Sequence, residues 1–492
     1  MTFLKIKQSF LLVIILTILL FIFYSFRLAE TPDGITADEA SYGYNGISLA
    51  DNLHDQNGRF LPIFILGTDG VTWYPPYMQY LAALFFKLLG PSVFAMRFAT
   101  VFVTVLSALL MFYFARLLLN KKYGLIALLS FMITPEVLIE THTPFEHMIV
   151  IPFVLIWLIS LYKYKLHLER KYLIFAALSL GISIYSYGGV RPLVPIWVLA
   201  SSFYIIYLTG KQFLAPLLTF AVTILPFFAI IPILEHYYSG AVLNRVSFKV
   251  SSIYSFFYYY LASFDISFLF VTGDKLLVQS TGRHGMFLLS TLPIFLVGIY
   301  QAFRKGSAFL TLLGVTFFIS PLLYGFVGSA FFAHRLLYMV PFYCVFFILG
   351  IKKLLENRYK FLRYGSFILI FLIMINFLDF WRYYIFNFPK DTYHLFHHLE
   401  DRNKPYQELY HQAKNRGLEP FLSTRVARLD KVNISDPELF SRALYFPKLP
   451  NVLDEQKDLL PENGILLSDQ DNLPNVKKLA VDILPFHLYI RP

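Results

Sequence analysis

The sequence predicts an all-α polytopic membrane protein with long outer loops containing surface helices and a small C-terminal mixed α/β outer domain. Composition is the first reason. Of 492 residues, 57% are hydrophobic and only 15% charged, too little polar surface for a soluble globular chain. Apolar runs of roughly 15 to 24 residues recur, and at about 1.5 Å per residue they approach or exceed a hydrocarbon core of about 30 Å. The third observation is where the basic residues fall. With Lys5 and Lys7 cytoplasmic, alternate connections carry Arg116/Lys121/Lys122, Lys163/Lys165/Arg170/Lys171, Lys211, Arg304/Lys305 and Lys352/Lys353/Arg358/Lys360/Arg363, in all seventeen of the 42 Lys and Arg. On the other side "THTPFEH" carries none, and the other two short connections carry only Arg191 and Arg335. This bias places the N-terminus inside. The net charge of +11 is therefore a topology signal, not a sign of nucleic-acid binding.

Taken in order, the spans are expected at 9–26, 93–119, 123–140, 148–162, 172–188, 193–209, 213–233, 286–303, 308–328, 333–351 and 364–387, eleven in all. The protein would sit in the plasma membrane as a multi-pass chain with its C-terminal domain extracytoplasmic. The run from Phe10 to Phe26 lacks a small-residue cleavage site and reads as an uncleaved first span, not a signal peptide. Pro135, Glu136 and Pro144 interrupt the third and fourth spans. Helices broken near the outer surface are tolerated only where protein or a watery cavity covers the backbone. A transmembrane part is expected over 1–388, with outer loops over 27–92 and 235–285. From 389 to 492 the chain turns polar, with short apolar clusters such as "NGILLS" and "KKLAVDIL". The lone Cys344 excludes an intramolecular disulfide and a thiolate metal cluster.

In the first outer loop, "TADEASYGYNGISLADNLH" reads as a helix with Ala40, Tyr44 and Ile47 on one face. "WYPPYMQYLAALFFKLLG" follows as a surface helix, entered through Pro75-Pro76 and closed by Gly90. Thr36 with Glu39 three residues on is a capping-box pattern, and Asp38 is then a first-turn acid favoured by the helix dipole. A cap also holds its neighbours rigidly, which is what a general base requires. In "THTPFEHM", His142, Glu146 and His147 sit where the chain re-enters the membrane. They are ordinary ligand types, so a divalent metal is possible, but their spacing matches no strong motif and a polar site-lining role reads better. Arg191 and Arg335, at the outer ends of spans, fit either snorkelling or bidentate binding of a lipid phosphate. In "FLFVTGDKLLVQSTGRHG", Gly273-Asp274 looks like a turn, with Lys275, Arg283 and His284 adding positive charge in what is most simply a surface loop. No phosphate-cradling loop, dinucleotide fingerprint or nucleophile elbow is present in the sequence.

The order of elements resembles the polytopic GT-C glycosyltransferases, and within them the protein-mannosyltransferase and aminoarabinose-transferase-like group. The stretches that carry this are "DEASYGYNG", "YPPYMQYL" with Tyr74, "MRFATVF" with Arg97, "PFEHM", "YSYGGVRPLVP", "FDISFLFVTGD" with Asp274, and "HRLLYMVPF" with His334 and Arg335. The resemblance covers roughly residues 10 to 350. Val278 and Gln279 stand where basic residues follow the Gly-Asp element, and His142 stands near a missing arginine. The resemblance implies a GT-C-like fold and inverting sugar transfer from a polyprenyl-phosphate donor to a lipid, glycan or protein acceptor at the outer face. It makes Asp38 the general base, with Glu39 beside it, and assigns Tyr74, Arg97, Glu146, His147, Arg191, Asp274, His334 and Arg335 to substrate binding. Membrane lipids are the other expected partner; nucleic acid is not, and no cofactor is demanded by a motif. The other reading is a transporter or flippase of lipid-linked glycans. That class favours ionisable residues near mid-membrane and internal repeats, whereas here the ionisable residues gather at the outer ends of spans.

Overall fold

The structure, a computed structural model, describes residues 2–67, 72–243, 250–304, 306–396, 400–426 and 451–491, the last apart from 455, 456, 482 and 484. Lys305 and most of the segment between the first strands of the C-terminal part lie outside the described residues. A helix lies in each of the eleven stretches expected to span. Among the described residues, six helical segments are long and apolar enough to cross a membrane: Val93–Leu118, Glu146–His167, Leu193–Gln212, Leu214–Tyr237, Ala308–Val327 and Lys360–Asp391. The pair α5 (Lys121–Met132) and α6 (Pro135–Thr141), bent by 62° where Pro135 enters, makes a seventh if counted as one span. The first stretch carries the helix Thr2–Ser25, of 24 residues, and two others are shorter for local reasons. The helix Arg170–Ser183 unwinds at the Ser- and Gly-rich "SYGGV" after fourteen residues. Met339–Leu355, at 17 residues, reaches about 25 Å. The chain is a membrane protein.

That last helix is the centre of the bundle: every side chain from Met339 to Ile351 is buried. It packs on Leu292–Arg304 through glycines. A Cβ on Gly298 would collide with the Phe346 carbonyl, and one on Gly350 with the Ile294 carbonyl. Without a hydrophobic drive between helices in lipid, such close backbone approach supplies the contact. Gly298→Val is expected to destabilise the protein by about 1–3 kcal/mol or more, read as a lower melting temperature and less monodisperse protein in detergent. Nearby, Trp157 and Trp197 stack at 5.4 Å, and their N–H groups donate to Ser201 and Ser320 at 2.9 and 2.8 Å, so neither indole leaves a buried donor unmet.

One end of the bundle carries the long loops. There α2 (Ala37–Asn52) and α3 (Tyr77–Leu89) pack together over Ala40, Ala82 and Phe86, with Tyr44 and Ile47 on the same seam. Gly90 closes α3 at φ +81°, a conformation that favours glycine. A two-stranded ribbon, Ile65–Leu66 with Trp73–Tyr74, brings Tyr74 back beside α2.

The C-terminal part holds a five-stranded mixed sheet. Glu419–Ser423 pairs in parallel with Asn451–Leu453 on one side and Gly464–Ser468 on the other. The sheet continues antiparallel through His487–Ile490 to Lys477–Lys478. Every residue of Gly464–Ser468 is buried. Its alternation sends Ile465 and Leu467 under Tyr406, Leu409 and Ala413 of the helix Glu400–Arg416, and Leu466 to the other face with Phe421 and Tyr489.

Candidate active site

The start of α2 is built by two interlocked devices. Thr36 caps it: its hydroxyl accepts from the Glu39 N–H at 3.2 Å, and Glu39 accepts from the Thr36 N–H at 2.9 Å. The other Glu39 oxygen takes an ion pair from Arg97 Nε at 3.0 Å, with both side chains fully buried. The rest of that guanidinium donates to the carbonyls of Leu28, Pro32 and Gly34 at 3.0, 2.9 and 2.6 Å. Glu39 and Arg97, read from sequence as site residues, thus spend these groups holding the loop and the helix start in place.

Asp38 is different. It is exposed at the second position of the helix, at the positive end of the dipole. Tyr74 donates to its Oδ1 at 2.9 Å. The Tyr74 ring meets Tyr42 edge-on at 5.1 Å, and the Tyr42 hydroxyl donates to the buried carboxylate of Glu146. Burial, and next the Glu146 charge, push the Tyr42 hydroxyl well above the ordinary tyrosine range, so it remains the proton donor of the pair. Tyr42→Phe strands the Glu146 carboxylate, and a loss of about 1–3 kcal/mol is expected, measurable as a lower thermal midpoint by circular dichroism.

Behind Glu146 the file of polar groups continues. His147 meets the fully buried Glu140 through Nδ1 at 3.0 Å. It stacks on His334 with ring centres 4.5 Å apart and meets Tyr187 edge-on at 4.7 Å. His334 and Arg335 share the turn Ala333–Leu336. Asp274 fastens that turn: its carboxylate accepts from the Ala333 N–H at 2.9 Å and the Leu276 N–H at 2.9 Å. Burial raises the Asp274 carboxyl above the usual carboxylate range, and those amide donors oppose the rise. Arg335 donates to Ser329 at 2.6 Å, lies 4.6 Å over the Phe332 ring and lines a cavity of about 90 Å³ with Tyr187, Gly189, Pro192 and Tyr324.

Arg191 sits apart from this file. Its guanidinium donates to the carbonyls of Ile184, at 3.1 Å, and of Ala241 and Val242. His142 is also turned elsewhere, its two ring nitrogens facing the carbonyls of Thr31 and Tyr24 at 3.0 and 3.1 Å. Glu146 and His147 therefore do not share a centre with it. Among the described residues no group of three His, Cys, Asp or Glu is disposed to hold a metal ion. Lys275 and Arg283 lie over the rings of Phe331 and Tyr383, at 5.7 and 4.5 Å. Three residues of the file, Tyr42, Glu140 and Tyr187, went unassigned from sequence. The one signal for Glu140 was a carboxylate in an apolar segment already broken by proline.

A family model described as dolichyl-phosphate-mannose-protein mannosyltransferase matches residues 74–236, which takes in Tyr74, Arg97, Glu146, His147 and Arg191. Among solved structures, ArnT from Cupriavidus metallidurans in the apo state aligns with a TM-score of 0.56 at 12% identity, over 99% of this chain and 98% of that one. The chain has the GT-C fold. ArnT bound to undecaprenyl phosphate aligns similarly, with a TM-score of 0.54 at 11% identity over 98% of each chain. A search of curated proteins finds no match. The GT-C likeness extends further than the sequence resemblance, which stops near residue 350, because the alignment also runs through the C-terminal part.

Proposed function

We propose that this chain is an integral membrane glycosyltransferase that moves a sugar from a polyprenyl-phosphate donor to an acceptor at the extracytoplasmic face of the plasma membrane, with inversion. The observation that carries it is Asp38, an exposed carboxylate fixed at a capped helix start, with Tyr74 at 2.9 Å and a buried polar file leading to Arg335. The GT-C fold shared with ArnT, a protein solved with undecaprenyl phosphate, supports a lipid-phosphate donor. So does the family model, whose description names a dolichyl-phosphate sugar.

In this reading the acceptor hydroxyl gives its proton to the Asp38 carboxylate as its oxygen bonds to the anomeric carbon. The bond from that carbon to the phosphate oxygen breaks, and its electron pair leaves on the polyprenyl phosphate. The sugar passes through an oxocarbenium-like state, which a nearby carboxylate stabilises, while Arg335 meets the charge growing on phosphate. Asp38 need only take the acceptor's proton late, as the bond to the anomeric carbon forms. Tyr74, Glu146, His147, His334 and Arg335 line the substrate; Arg97, Arg191 and Asp274 hold the loops behind it. We take the chain to cross the membrane eleven times with its N-terminus inside, and residues 389–492 to form a separate extracytoplasmic domain. The acceptor is a lipid, a glycan or a protein.

The test is transfer of labelled sugar from a panel of polyprenyl-phosphate sugars by the purified full chain. Transfer from one donor supports the reading. Lipid-glycan flipping in vesicles with no transfer from any donor would replace it with the transporter.

A further inference from the structure

We propose that Glu140 is a positioning residue for an anion clamp made by His147, His334 and Arg335, and that this clamp receives the leaving phosphate of the donor. The inference rests on the glycosyl-transfer reading above.

The geometry begins with the 62° bend at Pro135, which turns α6 so that Glu140 reaches His147 seven residues on. A carboxylate only accepts hydrogen bonds, so the proton at their contact sits on His147 Nδ1. That leaves Nε2 as the polar atom the ring can offer, and the imidazolium form offers it as a donor. The rings of Phe145, Tyr187 and His334, centred 5.4, 4.7 and 4.5 Å away, close in on the imidazole and oppose its rotation. The charged groups facing His147 are Glu140 from α6, Glu146 from its own turn and Asp38 from α2. Arg335 and His147 itself are the charges facing His334. The cationic side of the site is therefore the turn Ala333–Leu336 with His147, and the acidic side is α2, α6 and Glu146.

His334 supplies the observation that points to a ligand. Its Nδ1 is shut off from solvent and has no hydrogen-bond partner among the described residues. An unmet buried polar atom costs about 1–3 kcal/mol, which a ligand oxygen or hydroxyl would recover. Arg335, next in the chain, lines the cavity beside Tyr187, whose ring also touches His147. The turn is fixed from both sides, by Asp274 on the Ala333 N–H and by the Tyr324 hydroxyl on the Arg335 carbonyl at 2.8 Å. In the reaction the phosphate oxygen that keeps the electron pair accepts hydrogen bonds from this set, while the acceptor's proton goes to Asp38.

Two readouts separate positioning from mere support. Binding of undecaprenyl phosphate to the full chain is followed by tryptophan fluorescence, and kcat and KM are measured apart on the transferred donor. Glu140→Gln, which keeps a hydrogen-bond acceptor for Nδ1 but not the charge, is expected to weaken binding and lower kcat by about 10–100-fold, as loss of an outer-shell partner does. Glu140→Ala should be worse on both counts, with KM for the acceptor unchanged in each. An unaltered Kd and kcat in Glu140→Ala would overturn the clamp, even with transfer intact. Loss of binding in Glu140→Gln with no transfer by the unmodified chain would instead keep the clamp and reject the transferase.

Discussion

Asp38→Asn is expected to lower sugar transfer by about 10²–10⁴-fold, the usual contribution of a positioned general base, while leaving the protein folded. The prediction is sharp because structure and chemistry separate at adjacent residues. Asparagine keeps the size of Asp38 and an oxygen for the Tyr74 hydroxyl, which now lies 2.9 Å from Oδ1. The cap of α2 is made by Thr36 and Glu39, so the helix start does not depend on Asp38. The favourable dipole interaction that is lost is worth about 0.3–1 kcal/mol. Initial rates from polyprenyl-phosphate sugar, taken beside melting curves in the same detergent, read both effects. Wild-type rates in the mutant would remove Asp38 as base, and a collapse of the melting temperature would make its role structural.

Which parts of this arrangement were legible beforehand follows from how local their causes are. The capping box of Thr36 and Glu39 is a four-residue pattern, and it forms as read. The break at Pro135 follows from a missing N–H and a ring clash within one turn, and in "NGILLS" the residues Gly464–Ser468 form a strand buried along its whole length because it is apolar on both faces. Partners far along the chain were not legible. Arg97 reads like a substrate arginine, yet its guanidinium is met by Glu39, 58 residues away, and by three carbonyls of the same loop. Arg191 reads the same way and is met by carbonyls about 50 residues on. The sequence records a charge at each position; whether protein or ligand answers that charge depends on loop geometry that no spacing encodes. Helix length is less legible for a related reason. Apolar runs mark the stretches, but at Arg170–Ser183 the Ser- and Gly-rich "SYGGV" decides where the helix unwinds.

The buried pair of Arg97 and Glu39 yields the largest stability effect. Arg97→Met is expected to destabilise the protein by about 3–5 kcal/mol, because removing one partner of a fully buried ion pair leaves the other charge uncompensated. Glu39 keeps its bond to the Thr36 N–H, but that one donor does not replace a guanidinium at 3.0 Å. The carbonyls of Leu28, Pro32 and Gly34 lose their donors as well. Arg97→Lys should rescue little, since an ammonium lacks the planar fork that serves Glu39 and the loop at once. Glu39→Gln added to Arg97→Met removes the stranded charge yet keeps an acceptor for the cap, so the double mutant should melt above Arg97→Met alone. Equal melting temperatures for the two would mean that the lost carbonyl contacts, not the charge, dominate. Either way, transfer should fall in step with stability, because the same network suspends the first turn of α2 and with it Asp38.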